Sequence, residues 1–155
     1  MKLDNVLNTL ISNRFMRNKT EISLFEEALE LIYKTNDYSI AGKLIDALDD
    51  HTEHEEIMWG LIHTIEYLSE LSPKEALRLQ LNAIPYNIEK CRDWIEIIHF
   101  RILNNDEYRK LFAEVLKEVN KQVQDIIVSL LNDIKNEDPV KFADKIEEVR
   151  RILLN

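Results

Sequence analysis

Two glycines, Gly42 and Gly60, and three prolines are all that interrupt a chain of 155 residues. No other property constrains the fold as tightly. A sheet protein of this length turns every roughly 8 to 12 residues and draws on Gly and Pro for the backbone angles those turns need. A chain without them must run as helices joined by short polar links. The apolar residues agree, recurring at spacings of three and four almost from end to end, the signature of helices buried on one face. The composition, 45 % hydrophobic and 32 % charged, is that of a globular chain, long enough to bury a core without disulfide or metal staples. The expectation is an all-α protein, with residues 1–155 forming a single domain.

Start signals divide the chain into about nine helices. Leu3, Val6, Leu7 and Leu10 open a first, to about Met16, and Thr20 a second through Leu24, Leu29 and Ile32. Asp37 starts a third, to about Leu48. Thr52 followed by Glu55 reads as a capping box for a fourth, to about Leu68. Ser72-Pro73 with Glu75 opens a fifth, which Pro85 ends. Ile88, Cys91, Trp94, Ile95, Ile98 and Ile102 share one face of a sixth. Segments from Asp106 to about Val119, Gln122 to about Lys135, and Asp138-Pro139 onward complete the series. The starts at Asp37, Ser72 and Asp106 lie 35 and 34 residues apart, a period suited to stacked helical hairpins. Residue identities do not repeat with it, so an α-solenoid-like stack of HEAT-like hairpins and an irregular helical bundle both stand.

Several function classes drop out. Two glycines cannot build the loops that cradle nucleotide phosphates, which excludes ATPases, GTPases and dinucleotide enzymes. The single cysteine, Cys91, lies on the apolar face of its helix, so it reads as a buried thiol and not as a nucleophile. Of the four histidines, His51 and His54 lack the His-Glu-x-x-His spacing of zinc peptidases, and Glu96 with His99 makes one Glu-x-x-His where a helical di-iron site needs two. A helical metalloenzyme around Glu96 and His99 is the weakest reading, and no catalytic residue, metal or cofactor is expected. Scattered bases give no nucleic-acid footprint. No apolar stretch approaches the ~18 residues that span a bilayer, and the first twenty residues are amphipathic, unlike an export signal. A cytoplasmic protein without membrane partners is expected.

The formal charge of −9 is concentrated in one place. From Leu44 to Pro73 there is no Lys or Arg, while the same stretch holds eight acids, so it accounts for all but one unit of that charge. Glu53, Glu55 and Glu56 suit the N-terminal end of a helix, where the macrodipole favours carboxylates. Glu66 and Glu70 sit near the other end, where it does not. Turned at about 100° per residue, the fourth helix puts Met58, Leu61, Ile62, Ile65 and Leu68 on its core face. Thr52, Glu55, Glu56, Trp59, His63, Glu66 and Glu70 form a separate stripe. An indole among carboxylates reads as an anchor for a basic protein partner, or as core on a second packed side of the helix. His63 is either a contact or a brace.

The run Met58-Trp59-Gly60-Leu61-Ile62-His63-Thr64-Ile65-Glu66, preceded by Asp49-Asp50 and Glu53 to Glu56, resembles the immunity protein 30 family of bacterial polymorphic toxin systems through its Trp-x-x-x-His-x-x-Glu element. The resemblance implies a non-enzymatic cytoplasmic antidote that binds a toxin domain encoded beside it, with Trp59, His63 and Glu66 matching the motif. Many such toxins are nucleases with basic clefts, which an acidic surface can occupy in place of a phosphate backbone. The expected toxin-binding residues are therefore Asp49, Asp50, Glu53, Glu55, Glu56, Trp59, His63, Glu66 and Glu70. The expected partner is a basic nuclease domain held in a 1:1 complex by a monomer. A helical-repeat scaffold or adaptor with no toxin partner is the alternative.

Overall fold

Helix formation follows the apolar periodicity almost throughout. A computed structural model describes residues 2–155, which contain nine α-helices and no strand: α1 (Leu3–Ser12), α2 (Lys19–Tyr33), α3 (Ala41–Ile45), α4 (Glu55–Ser69), α5 (Pro73–Ala83), α6 (Ile88–Leu103), α7 (Asp106–Glu118), α8 (Lys121–Glu137) and α9 (Pro139–Leu154). Short 3-10 turns, Tyr38–Ile40 and Ile84–Tyr86, lead into α3 and follow α5. No helix among the described residues is long and apolar enough to cross a membrane.

The chain divides into two units, one ending at Trp94 and one running Ile95–Asn155. In the first, α1 packs on α2, α2 on α4, and α3 on α5 and α4. Phe25, Ile32, Leu44, Leu48, Met58 and Leu61 are fully buried there. In the second, α7 and α8 each pack on α9, around Phe112, Leu116, Ile127 and Ile146. Each such side chain contributes about 1.5–3 kcal/mol of burial.

Several boundaries follow cap chemistry. Asn105, Asn120 and Asp138 accept the N–H of Tyr108, Val123 and Lys141 at 2.9, 3.0 and 3.2 Å, starting α7, α8 and α9. Others differ from the sequence reading. The cap of α2 is Asn18, accepting Glu21 N–H at 2.9 Å, rather than Thr20. α1 stops at Ser12, and Met16 lies beyond it with φ 51° and its side chain fully buried; burial of that side chain offsets a left-handed backbone. The helix expected from Asp37 begins instead as a 3-10 turn capped by the Asp37 carboxylate on Ser39 N–H, and α3 itself has five residues.

The capping box expected at Thr52 and Glu55 is not formed. α4 starts at Glu55 behind His54, with no side-chain cap. Glu53 N–H donates to the Phe15 carbonyl at 2.9 Å, which ties the residues before the helix to the turn that follows α1 and keeps Thr52 out of helical register. Thr52 is buried, its hydroxyl accepting His54 N–H at 3.4 Å, so it leaves the stripe to which helical spacing assigned it.

Candidate functional site

The acid-rich stretch comprises the connection between α3 and α4, residues 46–54, and α4 itself. The connection is tied down from two sides. Lys90 Nζ donates to the Asp46 and Leu48 carbonyls at 2.9 and 2.6 Å, and burial pushes its pKa below the ordinary lysine value. Asn87 Nδ2 donates to the Asp46 carboxylate at 2.7 Å, and Asp50 N–H to the Lys90 carbonyl at 2.9 Å. From the other side, Arg14 Nε donates to Asp49 Oδ2 at 2.9 Å.

Asp49 and Asp50, expected to meet a partner's basic groups, both accept hydrogen bonds from groups of this chain. Asp49 is 2 % exposed. Burial pushes its carboxyl upward, but the His51 N–H at 2.9 Å and the Arg14 guanidinium outweigh it and hold the group below the usual value. Asp50 is half-buried, and burial together with the neighbouring Asp93 charge raises its pKa. Its oxygens accept Asp93 N–H at 3.1 Å and Trp94 N–H at 3.4 Å. Those donors are available because α6 is broken at Cys91, whose φ of −141° is not helical. Asp50 thus caps the part of α6 that follows the break, a role invisible to a reading that had α6 unbroken.

The carboxylates of Glu53, Glu55, Glu56 and Glu70 are exposed, Glu66 is half-buried and His63 is exposed. Trp59 is half-buried, its ring 5.8 Å from Trp94 edge-on and 5.9 Å from His63. Trp94 is buried and donates Nε1–H to the Asp49 carbonyl at 3.1 Å. The Trp59 indole therefore has a rigid seat and a partly open surface, between the two alternatives of full exposure and core.

A second flank of α4, about a quarter-turn from Trp59, faces α2 across an open groove of about 420 Å³. Gly60 and Leu29 form its floor together with Ile57, and a Cβ on Gly60 would meet only Leu29 Cδ2, at 3.4 Å. Glu26, Glu30 and Glu56 line the same groove and are all exposed. Glu30 pairs with Lys34 at 3.0 Å, and Glu56 lies 3.8 Å from His54 Nδ1. Tyr33 stacks on Tyr67 at 4.4 Å, and Tyr67 donates to Asn36 at 3.1 Å. The Thr64 hydroxyl is turned back onto the Gly60 carbonyl at 2.8 Å, which leaves the three carboxylates and Tyr33 as the polar side chains of the lining. Sequence spacing missed Glu26, Glu30 and Tyr33, since they lie on α2, outside the base-free stretch.

Cys91 and His99, both weighed for chemistry in the sequence, are buried. Burial raises the Cys91 thiol to about 12, and it donates to the Asn87 carbonyl at 3.2 Å. His99 is fully buried, donating Nδ1–H to the Ile95 carbonyl at 2.7 Å, with its ring against Phe112. No cluster of three or more His, Cys, Asp or Glu placed to hold a metal ion occurs among the described residues.

A protein-family model described as Immunity protein 30 matches residues 12–112, well over half of the chain, and spans α2, the 46–54 connection, α4 and α6. No curated protein and no solved structure matches the chain.

Proposed function

Because the chain belongs to the immunity protein 30 family, we propose that it is an antidote that neutralises a cognate toxin domain, a basic nuclease, through the exposed acids at the start and end of α4. The observation that carries this reading is the absence of any Lys or Arg between Leu44 and Pro73, combined with exposure of Glu53, Glu55, Glu56 and Glu70 in that stretch. A nuclease cleft is positively charged because it holds a phosphate backbone. An acidic surface is steered toward such a cleft, and its carboxylates meet Lys and Arg in charge-assisted hydrogen bonds. Trp59, seated on Trp94 with His63 beside it, supplies an apolar anchor among the acids. Glu66 continues the surface toward Glu70. Asp49 and Asp50 serve it indirectly, by holding the connection that carries Glu53. The protein acts as a monomer in a 1:1 complex in the cytoplasm, with no catalytic step of its own.

The test is protection. Cells producing the toxin domain encoded beside this gene should survive when the wild-type chain is co-produced, and should die when Glu53, Glu55, Glu56 and Glu70 are all changed to Lys. Far-UV circular dichroism of the variant should match wild type, since all four side chains are exposed. Undiminished protection by the variant would reject this surface.

A further inference from the structure

The groove between α2 and α4 combines an apolar floor, an acidic lining and a braced aromatic ring. We propose that it is a receptor for a cationic segment of the toxin domain, one that presents two Lys or Arg side chains about one helical turn apart. This deepens the antidote reading and rests on it.

Charge and shape both select this occupant. Long cationic side chains lay their aliphatic stems on apolar surface and keep the charged head outside. The floor of Leu29, Ile57 and Gly60 accepts the stems, and the missing side chain at Gly60 gives them depth. The heads meet Glu26, Glu30 and Glu56. Glu26 and Glu30 are four residues apart on one helix, a rise of about 6 Å, which sets the spacing of the two cations. Tyr33, stacked on Tyr67 and 46 % exposed, lies at the last turn of α2 and offers a ring to the second of them. The volume of about 420 Å³ exceeds a single side chain and suits a short segment. Lys34 already sits on Glu30 at 3.0 Å, yet both are about two-thirds exposed, a pairing weak enough for an incoming cation to displace. Nucleic acid, being anionic, is repelled by the same lining.

The decisive experiment measures Kd, by titration calorimetry, between the full-length chain and the toxin domain encoded in the neighbouring gene. Glu26→Lys with Glu30→Lys reverses the lining outside the α4 patch, and Gly60→Met fills the groove without altering charge. Each is expected to weaken binding by at least about tenfold, while Gly60→Ala stays within about threefold of wild type. If the complex forms but both the double Lys variant and Gly60→Met bind within about threefold of wild type, the groove assignment is overturned and the antidote reading stands. No complex with wild-type protein overturns both. Should Gly60→Met fail to fold, the surface double variant decides alone. A dimer that Gly60→Met dissociates would assign the groove to self-association and likewise overturn the proposal.

Discussion

His99 predicts an acid-sensitive stability that a single substitution removes. Its ring is fully buried, with Nδ1–H donating to the Ile95 carbonyl at 2.7 Å and the Phe112 ring edge-on at 5.4 Å. Nε2 is buried too and has no hydrogen-bond partner. A neutral imidazole leaves only an unmatched acceptor there, whereas a protonated one would bury a charge with nothing to receive its second N–H. Burial accordingly lowers the pKa from 6.5 to about 4. Between those values the unfolded chain takes up a proton that the folded chain refuses. The stabilisation is complete above about pH 6.5, declines as the pH falls below it, and is gone below about pH 4. At about 1.4 kcal/mol per pH unit the full effect is about 3 kcal/mol.

The variant His99→Leu keeps an apolar side chain of similar bulk and abolishes the titration. Urea unfolding followed by circular dichroism at pH 7.5 and pH 4.5 should show the wild type losing about 2 to 3 kcal/mol more than the variant across that interval. Carboxylates that titrate over the same range contribute equally to both proteins and cancel. At pH 7.5 the variant should be no less stable, since it also removes the unpaired Nε2. The reasoning would be refuted by an equal pH dependence in the two proteins, or by a His99 ring proton whose NMR shift titrates near pH 6.5 in the native state.

Other expectations follow from single contacts. A Cβ at Gly42 would lie 2.8 Å from the Leu79 carbonyl oxygen, so Gly42→Ala should lower the melting temperature although alanine is the better helix former. Gly60→Ala meets only ordinary contact and should raise stability by about 0.5–1 kcal/mol, making the two glycines opposite in sign. Arg109, 7 % exposed, donates to Glu148 at 2.9 Å, to the Leu103 carbonyl at 2.6 Å and to Asp106 at 2.9 Å; Arg109→Met should cost about 1–3 kcal/mol in denaturant unfolding. Asp49→Asn should cost about 1.5–3 kcal/mol by leaving Arg14 without its carboxylate. Because the Asp49 carboxyl is held below its usual 3.8, that contribution is present above pH 3.8 and disappears as the pH falls through the lowered value, which acid titration of wild type against the variant would show.

Helices were legible in the sequence because their information is local. Apolar positions three and four apart located α4 and α6 through α9, and the side chain of Asp138 marked the start of α9 as the sequence reading had it. Errors arose where a distant residue decides. Thr52 carries the right chemistry for a cap, yet the Phe15 carbonyl takes Glu53 N–H and moves the helix start to Glu55. Asp49 and Asp50 look like free acids in the sequence, and only the fold brings Arg14 and the broken turn of α6 to them. Counting charge along the chain found the base-free stretch but could not find Glu26 and Glu30, which lie outside it in a segment bounded by Lys19 and Lys34 and which meet Glu56 only across packed helices.

The ties on residues 46–54 bear on how quickly any complex can form. Lys90, Arg14, Trp94 and the Phe15 carbonyl together immobilise the backbone that presents Glu53, so docking there forfeits little conformational freedom. Under the antidote reading proposed above, a platform already set favours fast capture of the toxin domain, because little rearrangement has to precede docking.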